Sequence, residues 1–306
     1  TAAAKGPLSV TRSALAATGN ASFGYFGGGY PSPAKSTVDR VDYSNDTATA
    51  AAKGPLNLAR RFITATSNSS FGYFSGGQIT NPSRYSTVDR IDYSNDTATA
   101  SPKGPLSDTN SRSGGTGNQN FGYFGGGYSS KSTVERIEYT NDTATAVVKG
   151  PLSDGRRNLK ATGNADFGYF SGGVSVLSTV DRVDYSNDTA TAVVKGPLTS
   201  GVQNHSGTGN SSFGYFAGGD APSTSSKVDR IDYSNDTATA SPKGPLSSAR
   251  SELGATSAAA NALPTDFGLI NAIIAGSDPR DNVFPQGTDF GYFAGGVTPS
   301  SNNDSS

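Results

Sequence analysis

Two acids and an arginine recur along this chain in one fixed arrangement. Asp39 and Asp42 flank Arg40, and the pattern returns at Asp89/Arg90/Asp92, Asp181/Arg182/Asp184 and Asp229/Arg230/Asp232. One further copy keeps the charges on longer arms, as Glu135, Arg136 and Glu138. Carboxylates repeated this way could form a metal-binding ring or supply general acids and bases. An arginine between two acids is also what a structural ion pair requires, because its forked guanidinium matches carboxylate oxygens. Structural ion-pair networks commonly mimic sites. Asp39, Arg40, Asp42, Asp89, Arg90, Asp92, Glu135, Arg136 and Glu138 are therefore read as structural ion pairs within or between repeats, and no metal site is expected.

Other polar patterns are weaker. Asp42-Tyr-Ser44-Asn-Asp46 places oxygens at alternate positions, like the first half of a calcium loop, but lacks the turn glycine and the closing glutamate. An Asx-type turn accounts for it without an ion. The Asn-Asp-Thr of the same turn is an N-glycosylation acceptor in secreted proteins. His205 is the one histidine, and it reads as an exposed loop residue rather than a general base. There is no Cys, hence no disulfide, thiolate metal site or cysteine nucleophile. No phosphate loop, zinc-protease helix or serine elbow is present. FGYFGGGY is glycine-rich but ends a strand, so it is no phosphate cradle. No enzyme and no cofactor are expected.

These residues sit in six repeats of 46 to 50 residues, counted from Lys5, Lys53, Lys103, Lys149, Lys195 and Lys243 of a recurring KGPL. A period of this length signals a repeat architecture whose units bury their apolar faces only against neighbours. Within the unit Lys53 to Ala100, Ile63–Thr66 is β-prone and 67–70 is turn chemistry. Phe71–Phe74 is an apolar strand closed by Gly76-Gly77. Thr87–Tyr93 alternates, 94–96 turns, Thr97–Ala100 is read as the fourth strand, and Pro105 ends it. Four short strands and no helix per unit predict an all-β chain, a β-propeller of six blades. One propeller is expected over 1–298, with a polar tail at 299–306. The sixth unit is irregular. Its last blade is expected to be completed by the N-terminus, through Thr1–Ala4, and by the insertion 258–287. Thr1–Lys5 repeats Thr49–Lys53, so the sequence is expected to start within a unit.

The order of landmarks resembles the kelch-type repeat: a strand ending in Gly-Gly, a strand ending in Tyr93, the Asn95-Asp96 turn, then Pro105-Leu106 and an arginine such as Arg12, Arg60, Arg156 or Arg250. The aromatic that kelch repeats carry after the turn is Ala here (Ala48, Ala98). The near-verbatim unit also resembles repetitive propeller proteins of marine bacteriophages. That resemblance implies a virion or extracellular surface.

Variation between repeats falls in two segments, after Gly-Gly and after Pro-Leu. In an antiparallel four-stranded blade both emerge on one side of the disc, and loops that differ on a rigid scaffold are where binding concentrates. Arg12, Tyr30, Arg60, Arg61, Tyr85, Arg112, Tyr128, Arg156, Arg157 and Arg250 are the candidate ligand-binding residues there. The opposite side carries Asp46, Asp96, Asp142, Asp188 and Asp236, so a chain of net charge −1 is expected to be a polarised disc. The expected role is a structural or adhesive module, a phage fibre or decoration component. Its partners would be other virion proteins or a host-surface glycan, with no nucleic acid and no membrane insertion. A glycan-cleaving enzyme with carboxylates in the central channel is the alternative.

Overall fold

The computed structural model describes residues 1–257 and 290–299. The first unit forms one antiparallel sheet in chain order from β1 (Ala16–Gly19), β2 (Phe23–Gly27), β3 (Val38–Asp42) and β4 (Ala51–Lys53). Four more sheets repeat it. They are β5–β8 (Thr64–Ser67, Phe71–Ser75, Val88–Asp92, Ser101–Lys103), β9–β12 (Gly114–Gly117, Phe121–Gly125, Val134–Glu138, Val147–Lys149), β13–β16 (Lys160–Gly163, Phe167–Ser171, Val180–Asp184, Val193–Lys195) and β17–β20 (Ser206–Gly209, Phe213–Ala217, Val228–Asp232, Ser241–Lys243). The last described strands, β21 (Gly254–Ser257) and β22 (Gly291–Ala294), pair only with each other. The innermost strands β1, β5, β9, β13, β17 and β21 pack side by side, and β21 touches both β17 and β1, which closes the ring.

The molecule is therefore a β-propeller, with five four-stranded blades where the repeats led to an expectation of six. Among the described residues the remaining place holds the two-stranded sheet β21–β22. The N-terminal segment does lie at this place. The Ala2 N–H donates to Pro245 O at 2.7 Å, as Ala50 does to Pro7 O at 2.8 Å and Ala100 to Pro55 O at 2.9 Å. The expected contribution of the insertion 258–287 lies outside the described residues, as does most of the 299–306 tail. The fourth strand is also corrected. It is Ser101–Lys103 rather than Thr97–Ala100, because the chain first turns through a 3-10 turn at Tyr93–Asn95. Pro102 sits inside that strand, where the free outer edge tolerates a missing donor.

Blades bury both faces of their second strand, so Tyr25 and Phe26 are each 0% exposed although they point to opposite sides. Phe74 of the second blade joins Tyr25, Val38, Leu56 and Ile63 in one core cluster, and Leu56 is the leucine of KGPL. The conserved spacing of small residues follows from this packing. A Cβ on Gly27 would stand 2.7 Å from the Phe74 ring, and one on Gly24 would stand 2.6 Å from Thr256 and 2.9 Å from the Tyr43 hydroxyl. Gly28 adopts φ +68° and Gly29 φ +108°, a region that glycine occupies without strain, and these turn the chain out of β2.

Candidate functional site

The three residues of each acid–Arg–acid pattern go to three different places, because successive strand residues face opposite sides. The first acid points inward. Asp39 is 0% exposed and pairs with Arg12 at 2.6 Å; Asp89 pairs with Arg60 at 2.7 Å and Asp181 with Arg156 at 2.5 Å. Each arginine also donates to carbonyls, as Arg12 does to Gly28 O at 2.6 Å and Thr37 O at 2.8 Å. Arg12, Arg60 and Arg156 are thus removed from the candidate binding face, since each is at most 1% exposed and spends its donors inside its own blade. Glu135 lacks such an arginine, because Asn110 stands at that position, and it accepts from Ser107 instead.

The second acid makes no ion pair among the described residues. Asp42 accepts from the Ser44 N–H at 2.9 Å and its hydroxyl at 2.6 Å, capping the turn, and these bonds hold its carboxyl below the usual range. Asp92 caps in the same way, and Glu138 accepts from the Thr140 hydroxyl at 3.0 Å. The calcium-like pattern is therefore a capped turn.

The arginine reaches the neighbouring blade. Arg40 pairs with Asp96 at 2.7 Å, Arg90 with Asp142 at 2.7 Å and Arg136 with Asp188 at 2.7 Å, while each lies over its own blade's Phe at 4.2 to 4.3 Å. Each turn aspartate also meets a lysine and a tyrosine hydroxyl from the preceding blade; Asp96 accepts from Tyr25 at 2.9 Å and pairs with Lys53 at 3.3 Å. Burial alone would raise the Asp96 carboxyl, but the Tyr25 and Arg40 bonds outweigh it and hold it low. Asp46, Asp96, Asp142, Asp188 and Asp236 are thus neutralised between blades, which weakens the expected acidic side.

The variable loops do share one side. Short bridges such as Ser13 to Tyr30 and Tyr85 to Asn110 tie the segment after Pro-Leu to the segment after Gly-Gly. At the axis, six residues with φ between 54° and 63° form a closed backbone ring. Phe62 N–H donates to Ala14 O, Arg112 to Phe62 O, Asn158 to Arg112 O, Asn204 to Asn158 O, Glu252 to Asn204 O and Ala14 to Glu252 O, all at 2.8 to 3.0 Å. These positions repeat in space but not in sequence, so each ring residue carries a different side chain to the channel mouth.

Around the ring lies a row of cations and aromatic rings. Arg61 lies 4.9 Å from the Tyr30 centroid and 5.2 Å from that of Phe62, with Arg112 3.5 Å from Phe62. Arg84 and Arg157 both approach Tyr128, at 3.0 and 5.8 Å. All seven are half-buried. Among the described residues no carboxylate stands within salt-bridge distance of these four arginines. Arg250 is half-buried without a described side-chain partner, and Tyr85 contributes backbone bonds to Gly77 and Asn110.

Inside the mouth a pocket is lined by Phe62, Arg112, Asn158, Lys160, Asn204 and Glu252 among others. Burial lowers the Lys160 ammonium to about 8 and raises the Glu252 carboxyl, and burial with neighbouring cations lowers Arg112. Arg112 donates to Asn158 Oδ1 at 3.1 Å. Glu252 and Lys160 were missed as site residues, since only the fold brings residues 112, 160 and 252 together. The signal available was that each breaks its repeat position: Lys160 stands where Ala16, Thr64 and Ser206 begin the other inner strands. On the far side the channel is lined by Thr18, Thr66, Thr116, Thr162, Thr208 and Thr256.

His205 is corrected from an exposed to a buried residue. It occupies the core position of Leu15, Ile63, Leu159 and Leu253, with Nε2 2.9 Å from the Ser171 hydroxyl and its ring edge-on to Phe216. Burial and the nearby cations Lys160 and Arg156 lower its pKa to about 3, so it stays neutral. No protein-family model matches the chain, and comparison with curated proteins finds no match.

Proposed function

We propose that the chain is a non-catalytic recognition module, a rigid disc that takes an anionic glycan on its variable-loop face. The observation that carries this reading is the row of Arg61, Arg84, Arg112 and Arg157 over Tyr30, Phe62 and Tyr128, with no carboxylate paired to the arginines among the described residues. Half-desolvated guanidinium groups held on rings offer charge to acidic sugars, and the ring faces offer apolar surface to the sugar's C–H edges. The landmark order supports a kelch-like assignment. The likeness of the unit to repetitive phage propellers supports a place on a virion, as a fibre or decoration component, with host-surface glycan as the ligand.

The test is a glycan array with the purified chain at low and physiological salt, followed by the Arg61→Ser/Arg112→Ser/Arg157→Ser variant. Binding to acidic glycans that falls with salt, and falls at least about tenfold in an unfolding-neutral variant, supports the reading. Silence across the array overturns it and leaves an acidic surface of a neighbouring virion protein as the ligand to examine.

Glu252 favours a second reading, glycan cleavage, because a raised carboxyl in a pocket can act as a general acid. That chemistry needs a second carboxyl roughly 5 to 10 Å away. Asp220, whose charge raises Glu252, accepts from Asn204 at 2.9 Å. Release of reducing sugar that Glu252→Gln abolishes would establish this reading in place of simple binding.

A further inference from the structure

We infer that the blade β17–β20 holds a binding site for a guanidinium group on an alkyl stem, entered from the variable-loop side. Other blades of the same chain show how such a group is held. Arg12 donates through Nη1 to Gly28 O at 2.6 Å and Thr37 O at 2.8 Å, and through Nη2 to Phe26 O at 3.2 Å and Asp39 at 2.6 Å. Arg60 meets Gly76 O, Thr87 O, Phe74 O and Asp89 in the same way. Arg156 meets Gly172 O, Thr179 O and Asp181. Asn110 keeps part of the pattern in its blade, its amide donating to Gly126 O at 2.9 Å.

In β17–β20 the same position after Pro-Leu belongs to Val202, whose side chain has no donor. The acceptors stay. Asp229 is 3% exposed, and Phe216 and Gly218 are buried. Gly218 O accepts no hydrogen bond among the described residues, whereas the matching carbonyls of Gly28, Gly76, Gly126 and Gly172 each accept one from the side chain at that position. A pocket occupies the space that the shorter side chain leaves, walled by Val202, His205, Phe216, Gly218, Lys227 and Asp229. Ser200 and Ser225, one from each variable segment, stand at its mouth. His205 is 0% exposed and its Nδ1 has no partner among the described residues, so this wall holds a second buried polar atom for a ligand to meet.

One group competes for the site. Lys227 stands where Thr37, Thr87, Thr133 and Thr179 precede the third strand in the other blades. Its ammonium pairs with Asp229 at 3.0 Å and donates to Ser200 Oγ at 2.6 Å, but makes no hydrogen bond to Gly218 O or Phe216 O. The Lys227 side chain is 33% exposed, so its ammonium can return to water. A planar guanidinium matches the carboxylate and the carbonyls together, as a compact ammonium does not. Lys227 is therefore a displaceable plug. This inference does not depend on the anionic-ligand reading, which concerns other blades.

His205 is the one histidine of the chain, so its ring proton resonances report directly on this pocket. Butylguanidinium titrated into the purified chain should shift them saturably, with a Kd at least about tenfold lower than that of butylammonium. A blocked Gly-Arg-Gly tripeptide distinguishes the sources of the group. Tighter binding than butylguanidinium marks an arginine side chain of a partner protein, and weaker binding marks a free alkylguanidine. Lys227→Thr, which restores the threonine of the other blades, should lower Tm and tighten butylguanidinium binding at least about threefold, with the ligand recovering the lost Tm. Val202→Arg/Lys227→Thr, which rebuilds the arrangement of Arg60, should raise Tm and abolish the His205 response. The inference is overturned by absence of a saturable His205 shift, by equal binding of butylammonium, or by a rebuilt blade that still responds. Unimproved binding to Lys227→Thr overturns it as well, whether or not the double variant folds.

Discussion

Arginines one residue apart in the chain have unlike roles here. Arg156 lies inside its blade against Asp181 and two carbonyls, while Arg157 stands on the variable face over Tyr128. Arg156→Ser should lower stability by roughly 3 to 5 kcal/mol, because it leaves a buried carboxylate unpaired. Arg157→Ser should stay within about 0.5 kcal/mol of the parent chain. Chemical denaturation of the two variants separates these outcomes. His205 gives a pH signature. Its folded pKa of about 3 lies below the ordinary histidine value of 6.5, so only the unfolded chain takes up a proton between these values. Its contribution is present above pH 6.5 and is lost as pH falls toward 3. His205→Leu should flatten that part of the stability profile. Lys160, at about 8, should lose charge as pH rises through that value. Anion binding at the mouth should then weaken from pH 7 to 9, and Lys160→Met should remove the effect.

At the scale of the element, the blade interface is the stabilising unit. Each third-strand tyrosine stacks on the preceding blade, and each turn aspartate ties a tyrosine, a lysine and, in the complete copies, an arginine across the same boundary. Tyr169 is fully buried, stacks on Tyr233 and donates to Asp236 at 2.9 Å. Tyr169→Ala should cost roughly 3 to 5 kcal/mol, as deletion of a large buried aromatic does. A loss below about 1 kcal/mol in a denaturation curve would show that blade contacts carry little of the stability. Strand existence was legible in the sequence from FGYF and VDRIDY, since period-two alternation and glycine turns mark strands locally. The outer strand was misplaced because its edge position permits Ser-Pro-Lys, Ala-Ala-Lys or Val-Val-Lys, which share only the closing lysine and no alternation of apolar residues.

For the whole molecule, closure of the ring decides both shape and surface. The inner strands and the six-residue backbone ring bring residues 14 and 252 into contact, although they lie at opposite ends of the described chain. One side concentrates the variable loops, and the other is neutralised by ion pairs between blades. Steering of an anionic ligand should therefore depend on the arginine row more than on a long-range polarised field. Association should slow as salt shortens the Debye length below about 10 Å, a dependence that stopped-flow binding of an acidic glycan would measure.

The repeats determined by themselves that the chain is an all-β propeller, that the FGYF rings belong to its core, and that variation collects on one side. Those properties rest on local alternation, turn residues and chain direction, which each unit carries within its own residues. Only the tertiary structure decided that Arg12, Arg60 and Arg156 are internal, that Arg40 belongs to the next blade's Asp96, and that Lys160 and Glu252 share a pocket. It also decided that five blades have four strands among the described residues. Which of two identical residue types is buried, and across which boundary it pairs, depends on groups about one repeat or more away, and no local pattern encodes that distance.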